Sequence, residues 1–156
     1  MDFCSGGDLS LHLPLSPPSA RFYLAELLSA LAYLHSQDII YRDLKPENIF
    51  IDTSGHLKLG DFGLAKVGIN GNQKAMSFCG TPAYLPPEVV MGKGGGREGD
   101  IWGFGVVMFE CLEGVGCWGE GEGMWKNIVE GEVEVGGMEE KAGKLIKVIY
   151  MGCCCG

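Results

Sequence analysis

The chain is short of positive charge: 12 Lys and Arg stand against 20 Asp and Glu, a net charge of -8. Nucleic-acid phosphates need Lys and Arg, so this balance argues against a nucleic-acid partner and suits a basic one. A merely well-solvated acidic surface is the plainer alternative. Apolar runs are short, and none reaches the roughly 18 residues that a membrane span requires. Seven cysteines are present, yet none forms a Cys-x-x-Cys pair, which argues against a zinc site. No apolar signal segment opens the sequence, so reduced thiols inside a cell are expected rather than a secreted disulfide scaffold. No fixed-period repeat points to a solenoid. Proline is absent after Pro87, while 18 of the 26 glycines lie from Gly92 onward. An interior glycine costs a helix roughly 0.5–1 kcal/mol relative to alanine, so the second half is expected to be the less stable.

The remainder reads as one mainly α domain of the α+β kind, with helices and short β-hairpins. Ser16-Pro17-Pro18 is a helix start, a capping hydroxyl followed by proline in the first turn. Leu24, Leu27, Leu28, Leu31 and Leu34 follow at helical spacing and predict one apolar stripe. Ile49-Phe50-Ile51 and His56-Leu57-Lys58-Leu59 predict two short strands around a turn at Asp52-Thr53-Ser54-Gly55. The apolar run from Asp100 to Leu112 predicts a buried helix, and Trp125 to Val129 opens another.

The chemistry concentrates in Tyr41-Arg42-Asp43-Leu44-Lys45-Pro46-Glu47-Asn48, followed by Asp61-Phe62-Gly63. The two strands fit between Asn48 and Asp61, so a hairpin can bring them together. An amide oxygen and a carboxylate are hard ligands of the kind Mg²⁺ prefers. Asp43 can then orient a hydroxyl, and Lys45 can offset charge on a moving phosphoryl group.

These motifs, in this order, resemble the catalytic loop and the metal-binding triplet of the eukaryotic protein kinases. Lys45 and the Pro-Glu-Asn run are similar to the Ser/Thr branch. Tyr41 and Ser77-Phe78-Cys79-Gly80-Thr81-Pro82 resemble its AGC group. The resemblance implies a kinase large lobe over residues 1–135, with 136–156 an unassigned and poorly ordered tail. It implies ATP and Mg²⁺ as cofactors, with Asn48 and Asp61 as metal ligands and Thr81 bridging Asp43 and Lys45. Met1-Asp2-Phe3 resembles the hinge, Asp8 a ribose contact, and Leu9 and Ile49-Phe50-Ile51 the floor under adenine, with a plain core role as the alternative for those four. Ser77 matches an activation-loop phosphosite and Arg42 the group that pairs with its phosphate; an ordinary loop serine is the alternative. Glu47 and Glu110 match two acids that hold a substrate Arg, against the alternative of solvated glutamates. Asp100 matches the acid that hydrogen-bonds the catalytic-loop backbone.

The same resemblance implies protein substrates with basic residues near the target Ser or Thr, an upstream activating kinase, and a cytoplasmic or nuclear setting. It also exposes departures. No glycine-rich phosphate cover, strand Lys or partner helix Glu is found. Ala83 and Pro86 replace the usual Glu and Ala, and Gly114-Val115-Gly116-Cys117-Trp118 replaces Gly-x-Pro-Pro-Phe. Glu88 matches an acid that pairs with a late Arg, but the only arginines are Arg21, Arg42 and Arg97. Three readings follow: a Ser/Thr kinase, a non-catalytic lobe that binds partners or competes for substrates, and an incomplete gene model or decayed copy.

Overall fold

The computed structural model describes residues 4–71, 73–119, 121–131, 133 and 138–154. Helix α1 spans Pro17–Ser36 and starts where Ser16 accepts a hydrogen bond from the Ser19 amide, with proline in the first turn. Leu24, Leu27, Leu31 and Leu34 face the core. Leu28 does not: it is 45% exposed, because the 3-4-3 spacing of the other four fills the buried face and leaves it on the flank.

The hairpin forms as the alternation predicts. Strand β2, Ile49–Ile51, pairs antiparallel with β3, Leu57–Leu59, in the register Ile49 to Leu59 and Ile51 to Leu57. Asp52 closes the turn by accepting from the Ser54 amide, the Ser54 hydroxyl and the His56 amide, which draws His56 out of the predicted strand and into the turn. A second pair joins β1, Ile39–Ile40, to β4, Lys66–Val67. Two residues per strand carry no readable alternation, so the sequence alone did not reveal it. The architecture is mainly α with small antiparallel pairs, as expected.

The short helix α2, Pro87–Val90, leads to α3, Arg97–Glu113, the central and most buried helix. Two glycines let other segments approach it closely. A Cβ at Gly103 would lie 3.3 Å from that of Leu44, in the loop between β1 and β2. One at Gly105 would lie 2.9 Å from Ile149 on the last helix. Helix α4, Glu122–Glu130, buries Ile128.

The tail departs from expectation. Residues Glu140–Cys154 form α5, with Ile146 and Tyr150 fully buried. Gly143, Ile146 and Tyr150 are buried at helical spacing, so a real apolar face lies within the glycine-rich stretch. Tyr150 packs at 4.7 Å from Trp102 and 4.9 Å from Trp118, whose own rings stack 5.2 Å apart. These aromatic contacts contribute beyond the area they bury, and they overcome the glycine cost. The hinge-like Met1-Asp2-Phe3 lies outside the described residues.

Candidate active site

Asp100 organises the loop that follows α1. It is 2% exposed and sits in the first turn of α3. Its Oδ2 accepts from the Tyr41 amide at 2.9 Å, and its Oδ1 from the Arg42 amide at 2.8 Å. Arg42 has φ 72, left-handed backbone that a non-glycine residue adopts at a cost. The two amide bonds hold it there. A third donor, His35 Nε2 from the last turn of α1, lies 2.7 Å from Oδ2. Sequence reasoning missed His35, since nothing local marks a helix-end histidine as the partner of an acid 65 residues away.

The turn Pro46–Asn48 then folds Asn48 back onto Asp43. The Asn48 amide nitrogen donates to the backbone oxygen and to Oδ2 of Asp43, both at 2.9 Å. Lys45 Nζ lies 3.1 Å from the same Oδ2 and donates to Thr81 Oγ1 at 2.7 Å. Thr81 gives Asp43 Oδ1 both its amide, at 3.0 Å, and its hydroxyl, at 2.7 Å. Burial alone would raise the Asp43 pKa. The Thr81 and Lys45 hydrogen bonds, the Lys45 charge and the Asn48 bond outweigh it and hold the carboxyl below its ordinary value. Asp43 is therefore ionised at neutral pH, with four donors oriented on it.

Asp61 reaches this cluster through the backbone. The Gly60 amide donates to the Asn48 carbonyl at 2.8 Å, so Asp61 is the next residue after the hairpin's last rung. The buried Tyr41 hydroxyl donates to the Gly60 carbonyl, and its ring meets Phe62 edge-on at 5.3 Å. Burial raises the Tyr41 phenol, and the charges of Asp43, Asp61 and Asp100 add to it. Asp61 itself stands exposed, with φ 39 and one carboxylate oxygen accepting the Gly63 amide. Asn48 has committed its amide nitrogen to Asp43, so its oxygen is the ligand atom it can offer. An amide oxygen and an exposed carboxylate fit Mg²⁺ in kind. Among the described residues no cluster of three or more His, Cys, Asp or Glu could hold a metal. An ion here would take its remaining ligands from water and phosphate.

The other predicted residues divide. Arg42 donates through Nη1 to Ser77 Oγ at 2.5 Å and through Nε to the Leu64 carbonyl at 2.6 Å. Glu110 accepts from the Tyr84 hydroxyl at 2.7 Å. Burial raises the Glu110 pKa; the Tyr84 bond lowers it, and the charge of Glu47 raises it again, which places the two acids in one electrostatic neighbourhood. Tyr84 had gone unremarked in the sequence. Asp8 caps its own turn, accepting from the Ser10 amide at 3.1 Å, while its backbone bridges Phe50. Of the two readings for Leu9, Ile49, Phe50 and Ile51, the buried positions of Leu9, Ile49 and Ile51 suit the core, and Phe50 stays partly open. Glu88 is 6% exposed, and neither carboxylate oxygen has a hydrogen-bond partner among the described residues. Burial raises its pKa. Arg97 pairs with Asp38 at 2.5 Å instead.

The structure thus fixes an acid-bearing loop to a central helix, with a lysine two residues on and an amide that the hairpin links to a second acid. The family model for the protein kinase domain matches residues 1–144, and the chain belongs to that family. It is 50% identical over 118 residues to the RAC-beta serine/threonine-protein kinase of Rattus norvegicus, covering 73% of this chain and 24% of that protein. It is 53% identical over 118 residues to ribosomal protein S6 kinase alpha-3 of Homo sapiens, 73% of this chain and 16% of that one. Protein kinase 3 of Dictyostelium discoideum is 43% identical over 150 residues, 86% of this chain and 16% of the relative. The chain thus spans a quarter or less of the length of these relatives.

Proposed function

We propose that this chain is the substrate-side lobe of an AGC-type Ser/Thr protein kinase, which transfers the γ-phosphoryl group of ATP to a Ser or Thr near Arg. The observation that carries this is the four-sided hold on Asp43 by Thr81, Lys45 and Asn48 above a backbone pinned to Asp100. Asp43, ionised and oriented, accepts the hydrogen bond of the substrate hydroxyl and takes its proton as the new P–O bond forms. The bond from the γ-phosphorus to its bridging oxygen breaks, and ADP leaves. Lys45 offsets charge on the transferred group, with Thr81 holding its ammonium in place. Asn48 and Asp61 would hold Mg²⁺, which supplies charge neutralisation at the phosphates. Glu47 and Glu110 receive the substrate Arg as a bidentate pair. Ser77, already touched by Arg42, is the site for an upstream activating kinase. Neither a nucleic acid nor a membrane is invoked: the net charge is -8, and no described helix is long and apolar enough to cross a bilayer. A cytoplasmic setting, with the nucleus second, accompanies this reading.

The test is labelled ATP with an Arg-containing peptide. Transfer should fall about 100-fold or more in Asp43→Ala; equal labelling by both forms refutes the assignment. A second reading, binding of basic partners without transfer, is favoured by one observation. The chain carries the acid pair, Glu47 and Glu110, within a net charge of -8. Calorimetry separates the two readings. Tight Mg-ATP binding supports transfer, whereas peptide binding that ignores nucleotide and weakens in Glu110→Gln supports the binding lobe.

A further inference from the structure

Among the described residues, Glu26 ties the hairpin that ends at the proposed metal-ligand positions to α1 through hydrogen bonds. Glu26 lies on α1 and spends both carboxylate oxygens on the hairpin. Its Oε1 is 2.5 Å from His56 Nδ1, and its Oε2 accepts the Leu57 amide at 2.9 Å. Leu57 is the first residue of β3, which runs to Leu59, then Gly60 and Asp61. Ile49, which follows Asn48, pairs with Leu59. A shift of β3 along β2 therefore moves Asn48 and Asp61 relative to each other. Leu57 and Leu59 are partly buried against the core and Lys58 is exposed, so packing and the Glu26 contacts fix this register together.

We propose that Glu26 is a positioning residue for the Asn48–Asp61 hairpin, and that protonation of His56 tightens its hold. The groups around His56 are few. From α1 come Glu26 and the Phe22 ring, 5.8 Å from the imidazole. From the turn comes Asp52, whose Oδ1 accepts the His56 amide and whose Oδ2 lies 3.9 Å from Lys58 Nζ. Two carboxylates thus face one imidazole, and the Lys58 ammonium stands behind the farther one. The Glu26 hydrogen bond, then its charge, hold the His56 pKa above its ordinary value; burial opposes them, and the Asp52 charge adds the least. For a histidine raised in the fold, the linkage runs one way. The clasp is fully present below the unfolded value, about 6.5, and is lost as pH rises through the raised one. Above it, neutral His56 keeps at most an uncharged hydrogen bond, and the Leu57 tie remains. The clasp goes beyond the kinase reading and does not depend on it, since none of its readouts needs nucleotide.

The test is NMR on the full chain. In Glu26→Gln the His56 midpoint should fall, while the Leu57 amide keeps most of its protection, because the Gln oxygen still accepts. In Glu26→Ala exchange of that amide should accelerate about tenfold. The side-chain amide of Asn48 should shift at the His56 midpoint in the wild-type chain and stay still in Glu26→Ala, a signature that plain stabilisation of the fold would not give. An unchanged His56 midpoint in Glu26→Gln, or equal Leu57 exchange in Glu26→Ala, overturns the proposal.

Discussion

Two buried acids sit at opposite ends of the segment that joins the activation region to α3, and they are treated in opposite ways. Asp100, 2% exposed, receives the Tyr41 and Arg42 amides and the His35 imidazole. Glu88, 6% exposed, receives no donor among the described residues. The region around Asp100 therefore stores order in a carboxylate met by three donors. The region around Glu88 carries a carboxyl that burial pushes toward its neutral form. Burial alone says nothing about the worth of an acid; the donors aimed at it decide the sign.

Substitutions can break this comparison. Asp100→Ala should cost about 3–5 kcal/mol in urea unfolding, since it strands two backbone amides and a histidine. Tyr150→Ala should cost about 3 kcal/mol by the same measurement, because the Trp102–Trp118 stack loses the ring that covers it. Glu88→Met should have the opposite sign to Asp100→Ala and stabilise by about 1 kcal/mol. Leu28→Ser, on the exposed flank of α1, should stay within about 0.5 kcal/mol.

Acid titration sharpens the same contrast. Glu88 has its folded pKa raised, so its contribution is whole below the ordinary glutamate value and is lost as pH rises through the raised one. Glu110 acts in the same direction. Asp43 acts in reverse: its folded pKa is lowered, and its contribution disappears only as pH falls through that lowered value. The urea midpoint should therefore fall as pH rises above the ordinary glutamate value, and Glu88→Met should shrink that fall without abolishing it. An identical fall in the variant would show that Glu88 does not titrate in this range.

Much of the site was legible because its order lies in short segments. Tyr41 to Asn48 and Asp61 to Gly63 carry their residue types at fixed spacing, and the hairpin between them follows from alternation and an Asx turn at Asp52. What escaped is long-range. His35 meets Asp100 and Tyr84 meets Glu110 through tertiary packing, with no local signal in either partner. The sequence expected little order after residue 136, because glycine counts dominate a window average. It did not weigh that Tyr150 had two tryptophans to pack against. Leu9 stayed open between a floor under adenine and the core, because an apolar residue beside a turn reads the same whether it faces a cleft or the core.

Amide hydrogen exchange at Tyr41 and Arg42, compared between the wild-type chain and Asp100→Asn, tests the anchoring of the catalytic loop most directly. Both amides should exchange as slowly as core helix amides in the wild type and at least about tenfold faster in the variant. Fast exchange in the wild type, or no change on substitution, would mean that Asp100 does not hold the loop that presents Asp43.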